Sequence, residues 1–289
     1  MGLRLKFNLA MLLAVLLGLG LEAAYSYTVL RDNARREVLG EAAIMMSQAD
    51  VISRYTDSEI APLLAEQSRL HFAPQAIPFW AAQTTFRSLQ ARFPDYGFRE
   101  PATNPTNPAD RPTQEQADII DVFARRPDLQ EFVNDRPGAT GPILQYARPI
   151  RVTEPSCLAC HSTPQAAPAS MVERYGAVNG FGWKLGDLVG AQVVSVPMRV
   201  ALDRADVTFR AFLVGSAVAG TLMMAALNVL LHLAVLRPVR RLAATANAVS
   251  LGQRDAPGID TRGRDEIATL GAAFNRMRRS LDHAMDLLS

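Results

Sequence analysis

The stretch AFLVGSAVAGTLMMAALNVLLHLAVL, residues 211–236, decides the architecture of this chain. It contains no Asp, Glu, Lys or Arg, and it is bounded by Arg210 and Arg237. A helix of about 20 consecutive apolar residues is enough to cross the core of a bilayer. A soluble helix of this length without a charged face would be unusual. We therefore predict a transmembrane helix over residues 211–236.

A second apolar run, LAMLLAVLLGLGL, lies near the N-terminus at residues 9–21. It has the length of the apolar region of a signal peptide, and with its flanking residues it also reaches a spanning length. The Glu22-Ala23-Ala24 sequence that follows is a poor cleavage site. This favours an uncleaved anchor over a cleaved signal, and we predict a first transmembrane helix, or signal anchor, over residues 7–25.

Basic residues predict the orientation of the two helices. Those that flank the apolar runs are Arg4, Lys6, Arg237, Arg240 and Arg241. Because cationic residues next to membrane spans concentrate on the cytoplasmic side, both clusters are expected inside. The predicted organisation is a cytoplasmic N-terminus at 1–6, an extracytoplasmic domain at 26–208 and a cytoplasmic segment at 237–289.

Composition excludes some functions. The chain has 289 residues, of which 20% are charged, and its formal net charge is only +2 at pH 7. Nucleic acid is therefore not expected as a partner. The sequence shows no Ser/His/Asp set, no paired carboxylates in a defined motif and no phosphate loop, so no enzymatic activity is expected.

The segment between the spans predicts an α+β domain. Apolar residues recur every three or four positions through residues 28–55, which indicates a long helix. Thr113 with Gln116 predicts a capping box at the start of another helix. Alternation in PILQYARPIRV (142–152) and in residues 189–196 predicts strands. The expected fold is a small antiparallel sheet between long flanking helices.

The sequence SCLACHSTP, residues 156–164, contains the only two cysteines of the chain and is predicted to lie on a loop. Attachment of haem c requires two thiols, which add to the vinyl groups, and an imidazole that ligates the iron. The spacing C-x-x-C-H supplies all three. It predicts one haem c bound covalently through Cys157 and Cys160, with His161 as the proximal axial ligand of the iron.

Three alternatives for this motif remain open. A structural zinc site would need further ligands, and His71 is the only other histidine between the two spans. A redox dithiol would be expected at the start of a helix in a βαβ unit, a pattern that does not surround this motif. A simple disulfide fits an oxidising compartment.

A bound haem would have further contacts. Since thioether bonds use both sulfurs, the distal ligand must come from other residues or the position must stay open to a gas. Arg148 and Arg151, just before the motif, are candidates to pair with haem propionates, although solvated charges are the simpler interpretation. The candidate distal ligands are Met45, Met46, Met171, Met198 and His71.

The C-terminal segment predicts two short amphipathic helices. Their apolar residues follow a spacing of three and four: Val239, Leu242, Ala246 and Val249, then Ile267, Leu270, Phe274, Met277 and Leu281. Such helices bury their stripes by pairing with a second copy as a parallel four-helix coiled coil. With Pro238, a first helix closed by Gly252, and Asp265-Glu266 opening the second helix, residues 237–289 resemble the HAMP linker of transmembrane receptors. The resemblance implies a homodimer through the HAMP and transmembrane helices.

The segment from residue 142 to residue 198, with the cysteine motif at its centre, is similar to a family of extracytoplasmic single-haem c domains with a PAS-like core. The resemblance implies a PAS-like haem c domain over 26–208 and a location in the bacterial inner (cytoplasmic) membrane. The helix EAAIMMSQADVISRYT also resembles the first helix of that family, where the distal ligand or the pocket wall would lie. On that basis Met46 is the predicted distal ligand.

Two functions follow from these features. The chain would be a transmembrane redox or gas sensor that relays a periplasmic signal through a HAMP dimer. Since no kinase, cyclase or methyl-accepting segment follows, a separate cytoplasmic protein would carry the output. The alternative is a membrane-anchored c-type cytochrome for electron transfer. The HAMP-like segment favours the sensor, because an electron carrier needs one anchor and no cytoplasmic relay.

Overall fold

The computed structural model of the chain describes residues 2–253, 257–259 and 263–288. The α-helices are α1 (Leu3–Tyr55), α2 (Ala61–Leu63), α3 (Ala65–Leu70), α4 (Pro78–Gln90), α5 (Gln114–Arg125), α6 (Leu158–His161), α7 (Ala169–Tyr175), α8 (Arg199–Leu231), α9 (Arg237–Ser250) and α10 (Glu266–Leu288). The strands are β1 (Gly97–Arg99), β2 (Phe132–Gly138), β3 (Gly141–Arg151) and β4 (Leu188–Pro197). One-turn π segments follow α1 and α8, at Thr56–Ile60 and His232–Leu236.

The chain divides into two compact units. Thr28–Thr208 form one, which we call the sheet unit, and the residues before and after it form the other, which we call the helical unit. Helices and a sheet share the first unit, whereas the described part of the second is helical. The predicted α+β class, with long apolar helices on either side of a sheet domain, is confirmed.

The four strands form an antiparallel sheet in the order β1-β4-β3-β2. Because side chains alternate between the two faces of a strand, each strand contributes to two clusters. Tyr146 and Val194 pack towards α1, while Ala147 and Val193 pack towards α5. The sheet therefore has a buried core on both faces. Strands β3 and β4 were predicted from the sequence, whereas β1 and β2 were not.

Helix α1 covers one face of the sheet with a stripe of mostly small residues. The buried members of this stripe are Ala34, Val38, Ala42, Met45, Met46 and Ala49. All of them except Met46 follow the predicted helical spacing, and Met46, next to the predicted stripe, is buried as well. They belong to the same core cluster as Phe86 of α4 and Phe98 of β1. Short side chains at these positions allow the helix backbone to lie close to the strands.

Helix α5 covers the other face. It begins at the predicted capping box, in which the Gln116 N–H donates to Thr113 Oγ1 and the Thr113 N–H donates to Gln116 Oε1. One turn further on, Ile119, Ile120 and Phe123 are buried against the sheet. Local capping and long-range burial therefore agree in this helix.

Two helical stretches are long and apolar enough to cross a membrane. They lie within Arg4–Leu63 and Arg199–Ser250, and the most apolar window of each has a mean hydropathy of 1.9. No part of either window is buried within the described structure. By length and composition, these two stretches correspond to the two predicted spans.

Helices α9 and α10 form a pair with an apolar groove of about 280 Å³ between them. It is lined by Val239, Leu242, Ala243, Ala246, Leu270 and Phe274. Gly252 has a φ of +82° just after α9, as expected of a glycine that closes a helix. Asp265 caps α10, because its Oδ1 accepts the Ala268 N–H at 2.8 Å. Residues 254–256 and 260–262 of the predicted connector lie outside the described residues.

Candidate functional site

The cysteine motif lies on a short helix and not on the predicted loop. Pro155 begins a 3₁₀ turn that ends at Cys157, and α6 continues through His161. Proline is favoured in the first turn of a helix, which accounts for the start of this one. Cys157 and Cys160 are three residues apart on adjoining helical turns, so their thiols point to similar sides. Both cysteines are partly buried, and neither forms a disulfide.

The imidazole of His161 is held in one orientation from two sides. Its Nδ1 lies 2.7 Å from the carbonyl oxygen of Gly180. Its ring stacks on the indole of Trp183, with ring centroids 3.9 Å apart and an angle of 11° between the planes. A carbonyl oxygen only accepts hydrogen bonds, so Nδ1 must carry the proton. In the neutral ring, Nε2 then keeps a free lone pair, the arrangement found in metal-binding histidines.

The backbone around Gly180 explains why this position is a glycine. Its φ is +84°, a value that other residues rarely adopt. A Cβ atom at this position would collide with the side chain and the Cα of Thr106. Thr106 also places its Oγ1 3.5 Å from Nδ1 of His161. The close packing of these two backbone segments therefore sets the position of the carbonyl that holds the imidazole.

Two further backbone bonds join the glycine-rich segment to the motif. The Gly182 N–H donates to the Ser162 carbonyl, and the Trp183 N–H donates to the His161 carbonyl. The sequence shows that this segment is rich in glycine and aromatic residues, but it does not predict that Gly180, Trp183 and Thr106 contact His161. Contacts between segments that are distant in the sequence leave no periodic pattern of residues, so nothing in the sequence indicates that this segment packs against α6.

Burial sets the protonation of the motif. It lowers the pKa of His161, and the bond to the Gly180 carbonyl opposes that shift only in part. Burial, with a smaller contribution from Cys157, raises the pKa of the Cys160 thiol. The imidazole is therefore neutral near pH 7 and the Cys160 sulfur is a thiol. A reactive dithiol needs the opposite, a lowered thiol pKa.

The surroundings of the motif also do not favour the two remaining alternatives, a thioredoxin-type redox site and a structural zinc site. The sheet next to it is antiparallel, so the described strands form no βαβ unit of the thioredoxin type. Among the residues that the structure describes, no three His, Cys, Asp or Glu side chains are grouped so as to hold a metal ion. Two unpaired thiols and an oriented imidazole on one short helix remain, and this donor set suits haem c.

The candidate distal ligands lie in different surroundings. The four methionines, Met45, Met46, Met171 and Met198, are buried, and Met46 is completely so. His71 is exposed. The ring contacts and hydrogen bonds of His161 in the described structure involve Thr106, Gly180 and Trp183, and none of them involves Met46.

Arg148 and Arg151 are bound by protein groups. Arg148 contacts Asp50 of α1 at 3.4 Å and Glu131 at 2.9 Å, and its Nε donates to the hydroxyl of Tyr146. Arg151 donates to the carbonyl of Pro127. Arg148 therefore joins α1 to β3, the strand that leads into the motif. To pair with a haem propionate, Arg148 would have to release Asp50 and Glu131.

An apolar groove of about 610 Å³ lies on the sheet unit between α1 and α4. Its lining includes Ile44, Val51 and Phe86. None of the residues that line it belongs to the cysteine motif, so it is separate from the predicted site.

Two membrane-span candidates, a sheet unit and a paired-helix C-terminal segment define a membrane-integral signalling protein. The chain belongs to the Tll0287-like family, whose profile matches residues 31–197. The HAMP domain profile matches residues 230–283. Both domain families are typically non-enzymatic. The two apolar helices and the HAMP domain are consistent with an inner-membrane protein.

One solved structure is similar to the sheet unit. It is the crystal structure of the cyanobacterial haem protein Tll0287, which is 24% identical over 56% of this chain and 95% of that chain, with a TM-score of 0.43. No curated protein matches the chain.

Proposed function

We propose that this chain is a membrane haem sensor that carries one haem c on Cys157 and Cys160, with His161 as the proximal ligand. The observation that carries the proposal is the bond from His161 Nδ1 to the Gly180 carbonyl, next to two unpaired thiols on the same short helix. The match to the Tll0287-like family over residues 31–197 supports it. When bound, the haem supplies a one-electron couple and a coordination position for a small ligand.

Each residue of the motif has a separate task. Cys157 and Cys160 anchor the group through thioether bonds, so it is retained whatever the state of the iron. His161 presents Nε2 to the iron, while its bond to Gly180 and its stacking on Trp183 fix the direction of the ring. Outer hydrogen bonds of this kind orient a ligand and raise its basicity.

The proposed topology places this site outside the cytoplasm. The basic residues before the first span and after the second support a cytoplasmic location for both ends. The sheet unit, Thr28–Thr208, agrees closely with the proposed periplasmic domain at 26–208. Two spans at 7–25 and 211–236 and a HAMP segment at 237–289 complete the organisation.

The HAMP segment supports a relay and not simple electron transfer. In one copy, the apolar groove between α9 and α10 has no further helix to cover it among the described residues. A second copy of the chain would cover it in a parallel four-helix arrangement. We infer a homodimer that passes a redox or gas signal to a separate cytoplasmic protein by a change in helix packing, which requires a state of the iron with different affinity for two packings.

The haem proposal is tested by replacing both anchoring residues. Wild-type protein from a host that matures haem c is expected to give a c-type pyridine haemochrome, and its haem should stay with the chain in denaturing gels. The variant Cys157→Ala/Cys160→Ala should lose all covalent haem, because no other cysteine is present in the chain. The single variants, each with one thioether left, serve as matched controls. A wild-type chain without haem would contradict the proposal.

For the distal ligand we propose Met46, whose thioether is completely buried. Met46→Leu keeps the volume, so it should cost less than about 1.5 kcal/mol of unfolding free energy. If Met46 ligates the iron, this variant should nevertheless change the absorption spectrum and lower the midpoint potential. Met45→Leu is the matched control, since its neighbour Met45 is buried in the same core cluster. Identical spectra for both variants would exclude Met46.

A cross-linking experiment in the HAMP segment distinguishes the two proposed functions, sensor and electron carrier. Leu270 lines the α9–α10 groove and is 56% exposed in one copy. Leu270→Cys should be cross-linked between two copies by a bismaleimide, with a yield that differs between oxidised and reduced protein. Arg276→Cys, an exposed position on another face of α10, is the control. A yield independent of the redox state would favour the membrane-anchored cytochrome.

A further inference from the structure

One carboxyl group of the sheet unit lies inside the protein. Glu100 follows β1 and is only 4% exposed. Its Oε1 accepts a hydrogen bond from Nε2 of Gln192 at 3.1 Å. Within the described structure, no protein group donates a hydrogen bond to its Oε2. An ionised carboxylate with so little hydrogen bonding is costly to bury, so the neutral acid is the favoured form.

The groups that face Glu100 do not neutralise a charge on it. Asp50 of α1 and Asp110 both raise its pKa by repulsion, in addition to the larger effect of burial. Gln192 of β4 and Gln83 of α4 favour ionisation, but less strongly. The side chains that act on Glu100 directly are Asp50 (α1), Gln83 (α4), Asp110 (the loop after β1) and Gln192 (β4). Three cations lie next to members of this set: Arg87 (α4) and Arg99 (β1) act on Asp110, and Arg148 (β3) is the strand partner of Gln192.

These three cations are already engaged. Arg148 contacts Asp50 and Glu131. Arg99 donates to the carbonyl of Ala109, and Arg87 donates to the hydroxyl of Thr84. Among the described residues, none of the side chains that shift the pKa of Glu100 is a cation. Its charge state therefore depends on protons and on the electrostatic field of the surrounding interior.

A short segment joins Glu100 to the cysteine motif. Ala102 bridges to Gly190 of β4, and the Thr103 N–H donates to the Val189 carbonyl at 3.1 Å. The segment then reaches Thr106, whose Oγ1 is 3.5 Å from Nδ1 of His161. At about 3.6 Å per residue, the six steps from Glu100 to Thr106 set an upper limit of about 22 Å on their Cα separation. A six-residue segment therefore connects the buried acid to the residue that lies beside the imidazole.

We propose that Glu100 is a proton-binding site linked to the redox state of the haem, a proposal that rests on the proposed function. When an external one-electron donor reduces the iron, the added negative charge raises the proton affinity of Glu100. In the pH range in which Glu100 titrates, part of its ionised fraction then takes up protons from bulk water and becomes neutral acid. When the iron is oxidised again, these protons return to water.

The size of the linkage depends on the distance between the two charges. At a separation of about 22 Å and with an effective dielectric constant of about 20, one unit of charge changes the proton affinity of Glu100 by about threefold, and by more at a shorter distance. The midpoint potential should therefore fall as pH rises through the range in which Glu100 titrates. The slope is limited to about 59 mV per pH unit, the value for one proton per electron. The chain would then respond to external pH as well as to redox state.

The test is a redox titration of the full-length haem-loaded chain in detergent at several pH values. Wild type is expected to show the pH-dependent potential, and Glu100→Gln is expected to lose that dependence. Glu173→Gln, which removes an exposed glutamate, is the control and should keep the wild-type slope. Redox difference infrared spectra of wild type, with and without ¹³C-labelled glutamate, provide a second readout. They should show the C=O stretch of a buried carboxylic acid that changes on reduction.

The outcomes are distinguishable. Absence of covalent haem in wild type would overturn the proposed function and this linkage together. A haem-loaded wild type whose potential is independent of pH, or a Glu100→Gln variant that keeps the wild-type slope, would overturn the linkage alone. If Glu100→Gln does not fold, the infrared spectra of wild type test the linkage instead. A redox difference spectrum without a glutamic acid band would then overturn it.

Discussion

Gly180→Ala is expected to destabilise the sheet unit more than Gly176→Ala, although both glycines have nearly the same positive φ angle. Their φ angles are +84° and +85°. A residue with a Cβ is strained at a positive φ by about 1–3 kcal/mol, so both variants carry a backbone penalty. At Gly176 a Cβ would meet nothing within 4 Å, whereas at Gly180 it would collide with Thr106. The collision adds about 1–3 kcal/mol.

The collision also acts on the site. In Gly180→Ala, the backbone segments that carry residues 106 and 180 must move apart to remove the collision. The carbonyl of residue 180 then moves away from Nδ1 of His161, to which it is hydrogen-bonded at 2.7 Å in the native protein. We therefore expect Gly180→Ala to loosen the orientation of the imidazole and to change the haem spectrum. Gly176→Ala, with no such contact, should leave the spectrum as in wild type.

Urea unfolding followed by tryptophan fluorescence measures the first effect in the full-length chain. Both tryptophans, Trp80 and Trp183, lie in the sheet unit, so their signal reports on that unit alone. Equal losses of unfolding free energy in the two variants would show that the contact with Thr106 has no energetic weight. Equal haem spectra would show that the Gly180 carbonyl does not orient His161.

Features that depend on neighbouring residues were predictable from the sequence. The capping box at Thr113, the buried stripe of α1 and the glycine that closes α9 follow from spacings of three or four residues. The two spans follow from uncharged apolar runs. In each case the stabilising interaction is local to the element, or the order of its apolar residues shows which side chains are buried.

Features that depend on distant residues were not predictable. Strand β2 contains Asn134, Asp135 and Pro137 and lies at an edge of the sheet, so its sequence lacks the alternation of a strand. Strand β1 has only three residues, too few for any pattern. The cysteine motif was found because its chemistry is local. The carbonyl that orients its histidine lies 19 residues further along the chain.

The position of Arg148 suggests how the site is joined to the rest of the sheet unit. Strand β3 leads into the motif, and Arg148 of that strand contacts Asp50 of α1. Helix α1 is continuous from Leu3 to Tyr55 and includes the first candidate span. A displacement of the motif therefore has a short route of covalent and ionic contacts to the helix that contains the first candidate span.

Glu100→Gln is expected to stabilise the sheet unit above neutral pH. Burial raises the pKa of Glu100 well above its ordinary value in the folded chain, whereas in the unfolded chain it is near 4.3. Protonated Glu100 therefore contributes its full stability below the unfolded pKa. That contribution decreases as pH rises and is lost once pH passes the folded pKa. Each unit between the two values corresponds to about 1.4 kcal/mol.

The measurement is urea unfolding of the full-length chain between about pH 5 and pH 9, again with tryptophan fluorescence. In wild type the unfolding free energy should fall with rising pH, while in Glu100→Gln this part of the slope should be absent, because an amide has no proton to lose. Glu173→Gln should follow wild type. Parallel pH profiles for wild type and Glu100→Gln would mean that Glu100 is ionised inside the folded protein. Its proton could then not be the one exchanged on reduction, so this experiment, which needs no haem, bears directly on the proposed linkage.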